Sequence, residues 1–205
     1  MGSHRLRVLL LAVSEGGPPI VHSILSQLPA GFPIPIVILQ VFRSGPIDPI
    51  CNALSRTTRL RVSCVEGYSE LRSGEAVILP YASECRFGES TGILGVTIED
   101  NTPDRSELDT CAEVLAEVGR FFRDGTQVAF AGLLGKNLMS LRNGIRSIVE
   151  HGGTVLFVKE TRAIISPEVR QYIESDSQTG IVSPDEMVAR IHRWSGLTEY
   201  VKPPT

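Results

Sequence analysis

The chain is predicted to form one doubly wound α/β domain, a mostly parallel sheet flanked by helices on both faces, on the strength of three observations. Apolar runs of strand length alternate with stretches of helical periodicity along 205 residues. Val8–Val13 and Ile36–Val41 are nearly continuous in Val, Ile and Leu, the composition of strands buried on both faces. Breakers such as Gly125 and Gly152-Gly153 stand just ahead of later runs.

Taken in order, Val8–Val13 opens the sheet and runs into Ser14-Glu15-Gly16-Gly17. Pro18–Gln27 follows as a helix whose prolines suit a first turn. Ile36–Val41 is the second strand and Pro46–Ser55 a second helix. Leu60–Val65 and Ala76–Leu79 are less regular or shorter strands, and Thr91–Ile98, after an expected turn at Gly88, reads as a hairpin or edge strand. Asp104–Arg123 is the clearest helix, with Leu108, Cys111, Leu115, Val118 and Phe122 at helical spacing. Strands at Gln127–Ala131 and Thr154–Val158 bracket a helix over Asn137–Glu150. Val182-Ser183-Pro184-Asp185 begins a last helix, with Ser183 as N-cap, Pro184 in the first position and Gly196 as the stop. Met139 and Trp194 lie on helices and read as core residues. Residues 1–5 read as a tag, 6–195 as the domain and 196–205 as a frayed tail.

The hydrophobic fraction of 42% and charged fraction of 21% are those of an ordinary globular protein. A net charge of −3, with no long Lys/Arg run, argues against nucleic acid as a partner. No apolar run approaches the length of a membrane span, so membrane insertion is not expected and a cytoplasmic location is the default. The four cysteines, Cys51, Cys64, Cys85 and Cys111, form no C-x-x-C pair and read as reduced structural thiols. No cofactor and no metal are called for. Arg56, Arg59 and Arg61 read as a solvated loop, with a partner-facing basic patch as the sharper alternative.

In doubly wound sheets, ligands sit outside the carboxyl ends of the strands. Here those ends lead into the loops after Val13, Val41, Ala131 and Val158. Ser14 stands at the first of them, before two glycines that permit a sharp turn, where a hydroxyl can be presented as a nucleophile. The bland rival is a small residue that fits the turn and caps the following helix. Gly132-Leu133-Leu134-Gly135-Lys136-Asn137 has the flavour of a phosphate loop but lacks its G-x-x-x-x-G-K-[ST] spacing.

These loops make the chain resemble the catalytic domain of CheB-type chemotaxis protein-glutamate methylesterases. The family's Ser-Thr-Gly-Gly turn is matched by Ser14-Glu15-Gly16-Gly17, and its Leu-Pro pair before the second strand by Leu28-Pro29. Its Gly-x-x-Tyr-Ile-Ala-Pro segment aligns with Gly74–Pro80, and its Arg-Pro-Ser-Val-Asp helix start with Arg105-Ser106-Glu107-Leu108-Asp109. Its Thr-Gly-Met-Gly-x-Asp-Gly loop falls on Ala131–Asn137; its Ala-Gly-Gly and Met-Pro pieces fall on His151-Gly152-Gly153 and Ser166-Pro167. The resemblance implies an ester hydrolase whose serine attacks a receptor glutamyl methyl ester, with a histidine as base and an aspartate orienting it.

Carried over by position, the nucleophile is Ser14, the base position holds Val41 and the aspartate position holds Lys136. A second family histidine corresponds to Glu84, and the loop methionine to Leu133. The resemblance therefore implies a degenerate site, a pseudoenzyme acting as a binding or scaffolding module in chemosensory signal transduction, with a chemoreceptor or other signalling protein as partner. The alternative is a working methylesterase or deamidase with an atypical base. The expected cleft comprises Glu15, Gly16, Gly17, Phe42, Gly132, Leu133 and Lys136; Glu15 and Lys136 read either as opposite charges facing each other across it or as two independently solvated surface charges. His22, His151 and His192 are expected away from the strands' carboxyl ends. The receiver domain that usually precedes such domains is not expected in this chain, since few residues come before the first strand.

Overall fold

A computed structural model describes residues 7–14, 16–40, 48–80, 84–99, 107–122, 128–134, 141–158, 171 and 179–197. Among these, strands β1 (Arg7–Val13), β2 (Ile36–Gln40), β3 (Arg61–Cys64), β5 (Glu75–Leu79), β8 (Val128–Leu134), β9 (Thr154–Val158) and β10 (Thr179–Val182) form one sheet in the order β10-β9-β8-β1-β2-β5-β3. Every pairing in it is parallel. Strands β4 (Tyr68–Glu70), β6 (Glu84–Ser90) and β7 (Ile93–Glu99) form a separate antiparallel sheet in the order β4-β7-β6. The helices named among the described residues are α1 (Pro18–Ser26), α2 (Asp48–Thr57), α3 (Glu107–Phe121), α4 (Arg142–Glu150) and α5 (Pro184–Ser195). The fold is the doubly wound α/β arrangement that the alternating pattern predicts.

Strand alternation sorts the core into two layers, because successive side chains point to opposite faces. Val8, Leu10 and Ala12 of β1 join Val37, Leu39, Val77 and Leu79 under α3, α4 and the small sheet. Leu9, Leu11 and Val13 join Ile36, Ile38 and Ile78 under α1, α2 and α5. Each Val, Leu or Ile side chain among them contributes about 2 kcal/mol by leaving water. On the first face, α3 and α4 approach closely: a Cβ at Gly144 would stand 2.5 Å from Leu115 Cβ and 2.6 Å from the Ala112 carbonyl oxygen.

Several boundaries differ from expectation. The hairpin turn is Thr91-Gly92, with φ of 52° and 80°, and Gly88 lies inside β6 opposite Gly95. Two successive positive φ values in a two-residue loop match the twist of the flanking strands, so Thr91 belongs to the turn and β6 precedes it. β8 extends to Leu134, so Gly132, Leu133 and Leu134 are strand residues paired with Leu11, Ala12 and Val13. This overturns the phosphate-loop likeness over that stretch, since a paired strand cannot also wrap an anion. Val182 ends β10 rather than opening α5. Arg56 lies in α2 and Arg61 in β3, where it pairs with Glu75 at 3.2 Å, so the arginine cluster is not one loop.

The last helix is capped as predicted. Ser183 accepts a hydrogen bond from the Glu186 amide, Pro184 follows it, and Gly196 closes the end at φ 83°. Leu197 packs on the core beside Trp194. Cys51, Cys85 and Cys111 are buried, Cys64 is half-buried, and none is in a disulfide. No helix among the described residues is long and apolar enough to cross a membrane.

Candidate functional site

Because all seven strands of the large sheet are parallel, their carboxyl ends share one edge. At its centre, β1 has β2 on one side and β8 on the other, with Val13 level with both Gln40 and Leu134. The chain winds from β1 towards β2, β3 and β5, then crosses back to build β8, β9 and β10 on the other side. The crevice between β1 and β8 is therefore the topological switch point, and ligands of open α/β sheets bind there.

Ser14 follows β1 at that point and is 5% exposed. Its carbonyl accepts the Gly17 amide at 2.9 Å, closing a turn in which Gly16 takes φ 84°. That backbone conformation is strained for a residue with a Cβ, which explains a glycine there. The Gly17 carbonyl then accepts the Ile20 and Val21 amides, each at 2.9 Å, and starts α1. Gly17 is the N-cap, and α1 has no side-chain cap. Ser14 thus fits the turn but does not cap α1, which corrects half of the bland reading; the backbone alone sets the helix start, with Pro18 at its first position.

Of the other expected site residues, Gly132 is buried within β8, where a Cβ would meet Leu11 Cδ2 at 2.9 Å, with Met187 Cε at 3.4 Å. Leu133 follows it in the strand. Glu15, Val41, Phe42 and Lys136 lie outside the described residues, and so does the suggested Glu15–Lys136 pairing. Arg105, Ser106, Met139, Ser166 and Pro167 lie outside as well. Glu84, at a family histidine position, begins β6.

The histidines are placed by their elements. His22 is on the exposed side of α1. His151 sits between α4 and β9, at the amino end of the sheet, with Nδ1 donating to the Ser147 carbonyl at 2.7 Å. His192 is buried in α5 against the end of α1. The end of α5 is fixed at the amino edge by Arg7, whose Nη1 donates to the Trp194 carbonyl at 2.8 Å and whose guanidinium lies 5.6 Å from that ring's centre. Burial holds the His192 imidazole below its ordinary pKa, partly opposed by a hydrogen bond from the ring to the Gln27 backbone carbonyl.

Cys85 offers no substitute nucleophile. Burial, aided by Glu117, Cys111 and Glu99, pushes Cys85 up to about 12, so it stays protonated. The Cys111 thiol lies 3.9 Å from the Gln40 carbonyl. Among the described residues no group of three or more His, Cys, Asp and Glu side chains is placed to hold a metal ion.

A small apolar cavity of about 50 Å³, which sequence reading missed, opens beside this turn. Val13, Val21, Ile38, Gln40, Leu54 and Ile78 form its buried walls. The half-buried Ile50 and exposed Pro18, in the first turns of α2 and α1, form its rim. Among the described residues Gln40 is its one polar lining residue; the only sequence signal was a glutamine ending a buried Ile-Val-Ile-Leu strand.

The family described as CheB methylesterase matches residues 9–191. A protein-glutamate methylesterase/protein-glutamine glutaminase of Nitratidesulfovibrio vulgaris is 25% identical over 185 residues, covering 90% of this chain and 49% of that protein. One from Alkalilimnicola ehrlichii is 29% identical over 126 residues, covering 62% of this chain and 28% of that protein. The chain spans about half, or less, of the length of these curated relatives. The crystal structure of the Thermotoga maritima CheB methylesterase catalytic domain superposes with a TM-score of 0.72, covering 92% of this chain and 98% of that one. At 18% identity, that likeness concerns the fold.

Proposed function

The chain belongs to the CheB methylesterase family, and from that premise we propose that it is a non-catalytic member, a binding or scaffolding module in a chemosensory-like pathway. The observation that carries the proposal is the placing of the histidines. Ser14 is at the carboxyl edge, whereas His151 and His192 are at the amino edge and His22 faces outward on α1. A serine hydroxyl becomes a good nucleophile at neutral pH through an adjacent general base, most often a histidine. The sequence adds Val41 and Lys136 at the family's base and orienting positions: valine has no group to take a proton, and a lysine ammonium cannot accept the hydrogen bond by which an aspartate orients an imidazole. The partner in this reading is a chemoreceptor or another chemosensory protein, and the module works in the cytoplasm.

The rival reading is an active methylesterase or deamidase. It is favoured by Ser14 itself, which follows β1 at the switch point in the kind of turn that presents a nucleophile. Methanol release from methyl-esterified receptor fragments separates the two. The proposal expects background release from the chain and from Ser14→Ala alike, with both still binding the fragments. It also expects Val41→His combined with Lys136→Asp to raise release by on the order of tenfold or more, in a Ser14-dependent manner. Ser14-dependent release by the unaltered chain would overturn it.

A further inference from the structure

We propose that the cavity between α1 and α2 is a subsite for one short aliphatic side chain, of valine or leucine size, presented by a partner polypeptide. The inference deepens the binding-module reading and rests on it for the polypeptide source.

Protein interiors leave few voids, so an unfilled one at a sheet's ligand-binding edge calls for an occupant. Water suits this one poorly. A buried water makes two to four hydrogen bonds, and here the described lining side chains are aliphatic apart from the Gln40 amide. Size sets the class of group: about 50 Å³ is roughly a third of a cavity that holds benzene. Three or four carbons fill it; an aromatic ring does not.

Direction settles how the group enters. The six buried lining residues come from β1, β2, β5, α1 and α2, whereas the two accessible ones, Pro18 and Ile50, are in the first turns of the helices. The mouth therefore opens at the carboxyl edge. Val13, in its wall, precedes Ser14. A chain crossing the Ser14–Gly17 turn can lower one side chain past Pro18 without displacing either helix. An uncharged aliphatic group loses no hydrogen bonds on entering such a lining.

The test uses the whole chain with labelled Ile, Leu and Val methyl groups, followed by NMR. N-acetyl-leucine-methylamide should shift the methyls of Val13, Val21, Ile38, Ile50, Leu54 and Ile78 saturably, and N-acetyl-alanine-methylamide, too short to reach in, should not. Ile50→Phe, a plug at the rim, should weaken the leucine probe at least tenfold. Val21→Leu, which adds one carbon to the wall, should weaken it less and guards against a plug variant that misfolds. No saturable shift with the leucine probe, or shifts indifferent to both variants, would overturn the subsite. Binding of isobutanol at those methyls without the leucine probe would overturn the polypeptide source and leave a site for free small molecules. Saturable leucine binding beside failure to bind receptor fragments would refute the chemosensory partner and support the subsite.

Discussion

The two faces of the parallel sheet start from the same alternating strands and are finished differently. On one, α3 and α4 lie so close that Gly144 has no room for a Cβ, and Phe87, Phe121 and Phe122 interlock, the last two edge-on at 5.0 Å. On the other, α1 and α2 share the sheet with α5 but leave an apolar cavity between their first turns. The difference teaches where this fold can spare density. The face under α3 and α4 is close-packed where those helices meet, whereas the other face leaves a cavity near the carboxyl edge, where ligands of such sheets bind.

Matched truncations are the most direct way to break this comparison. Leu115→Ala, on the packed face, should cost about 4 kcal/mol, because a fully enclosed site cannot collapse around the void. Leu54→Ala, in the cavity wall, should cost about 2 kcal/mol, since its surroundings are already open on one side. Urea unfolding of both variants checks this, and equal losses would mean that the two faces are equally packed. Ser183→Ala, which removes the cap of α5 on the looser face, should cost about 1 kcal/mol in the same assay.

A subtler effect concerns His192, buried between α5 and the end of α1. Its pKa is lowered in the folded state, so the unfolded chain takes up the proton first as pH falls. The stability that comes from keeping the ring neutral is present in full above the unfolded value of about 6.5 and declines below it. The melting temperature should therefore fall between pH 7.5 and 5.5, less steeply in His192→Phe. An unchanged slope would assign the acid sensitivity to other groups.

The parts of the fold that were legible in the sequence are those whose local pattern needs no partner to interpret. β1, β2 and β9 declare themselves as short apolar runs, and α3 by its stripe from Cys111 to Phe122. The cap of α5 follows from Ser183 and Pro184. β4 and β10 were missed because three or four residues, Tyr-Ser-Glu and Thr-Gly-Ile-Val, carry too little periodicity. β6 was missed because Gly88 looks like a breaker, though Cys85 and Phe87 alternate inward around it and Thr91-Gly92 makes the turn. The position of β5 between β2 and β3 comes from pairing across the crossover, which no local pattern encodes. The same holds for the site. Ser14 and its turn could be read in order, but the cavity could not, because Ile38, Ile50 and Leu54 look like any core residues until two helices meet imperfectly above them.

The placing of β1 has a consequence for how the chain is made. It pairs with β8 from Arg7↔Val128 to Val13↔Leu134, so one side of this strand has no partner until Leu134 has left the ribosome. At ordinary elongation rates that wait is on the order of ten seconds. Throughout it, Leu9, Leu10 and Leu11 sit on an exposed strand edge, the kind of template to which other nascent chains adhere. Slower synthesis or a fusion that delays the second half should therefore lower soluble yield well before it affects the finished fold.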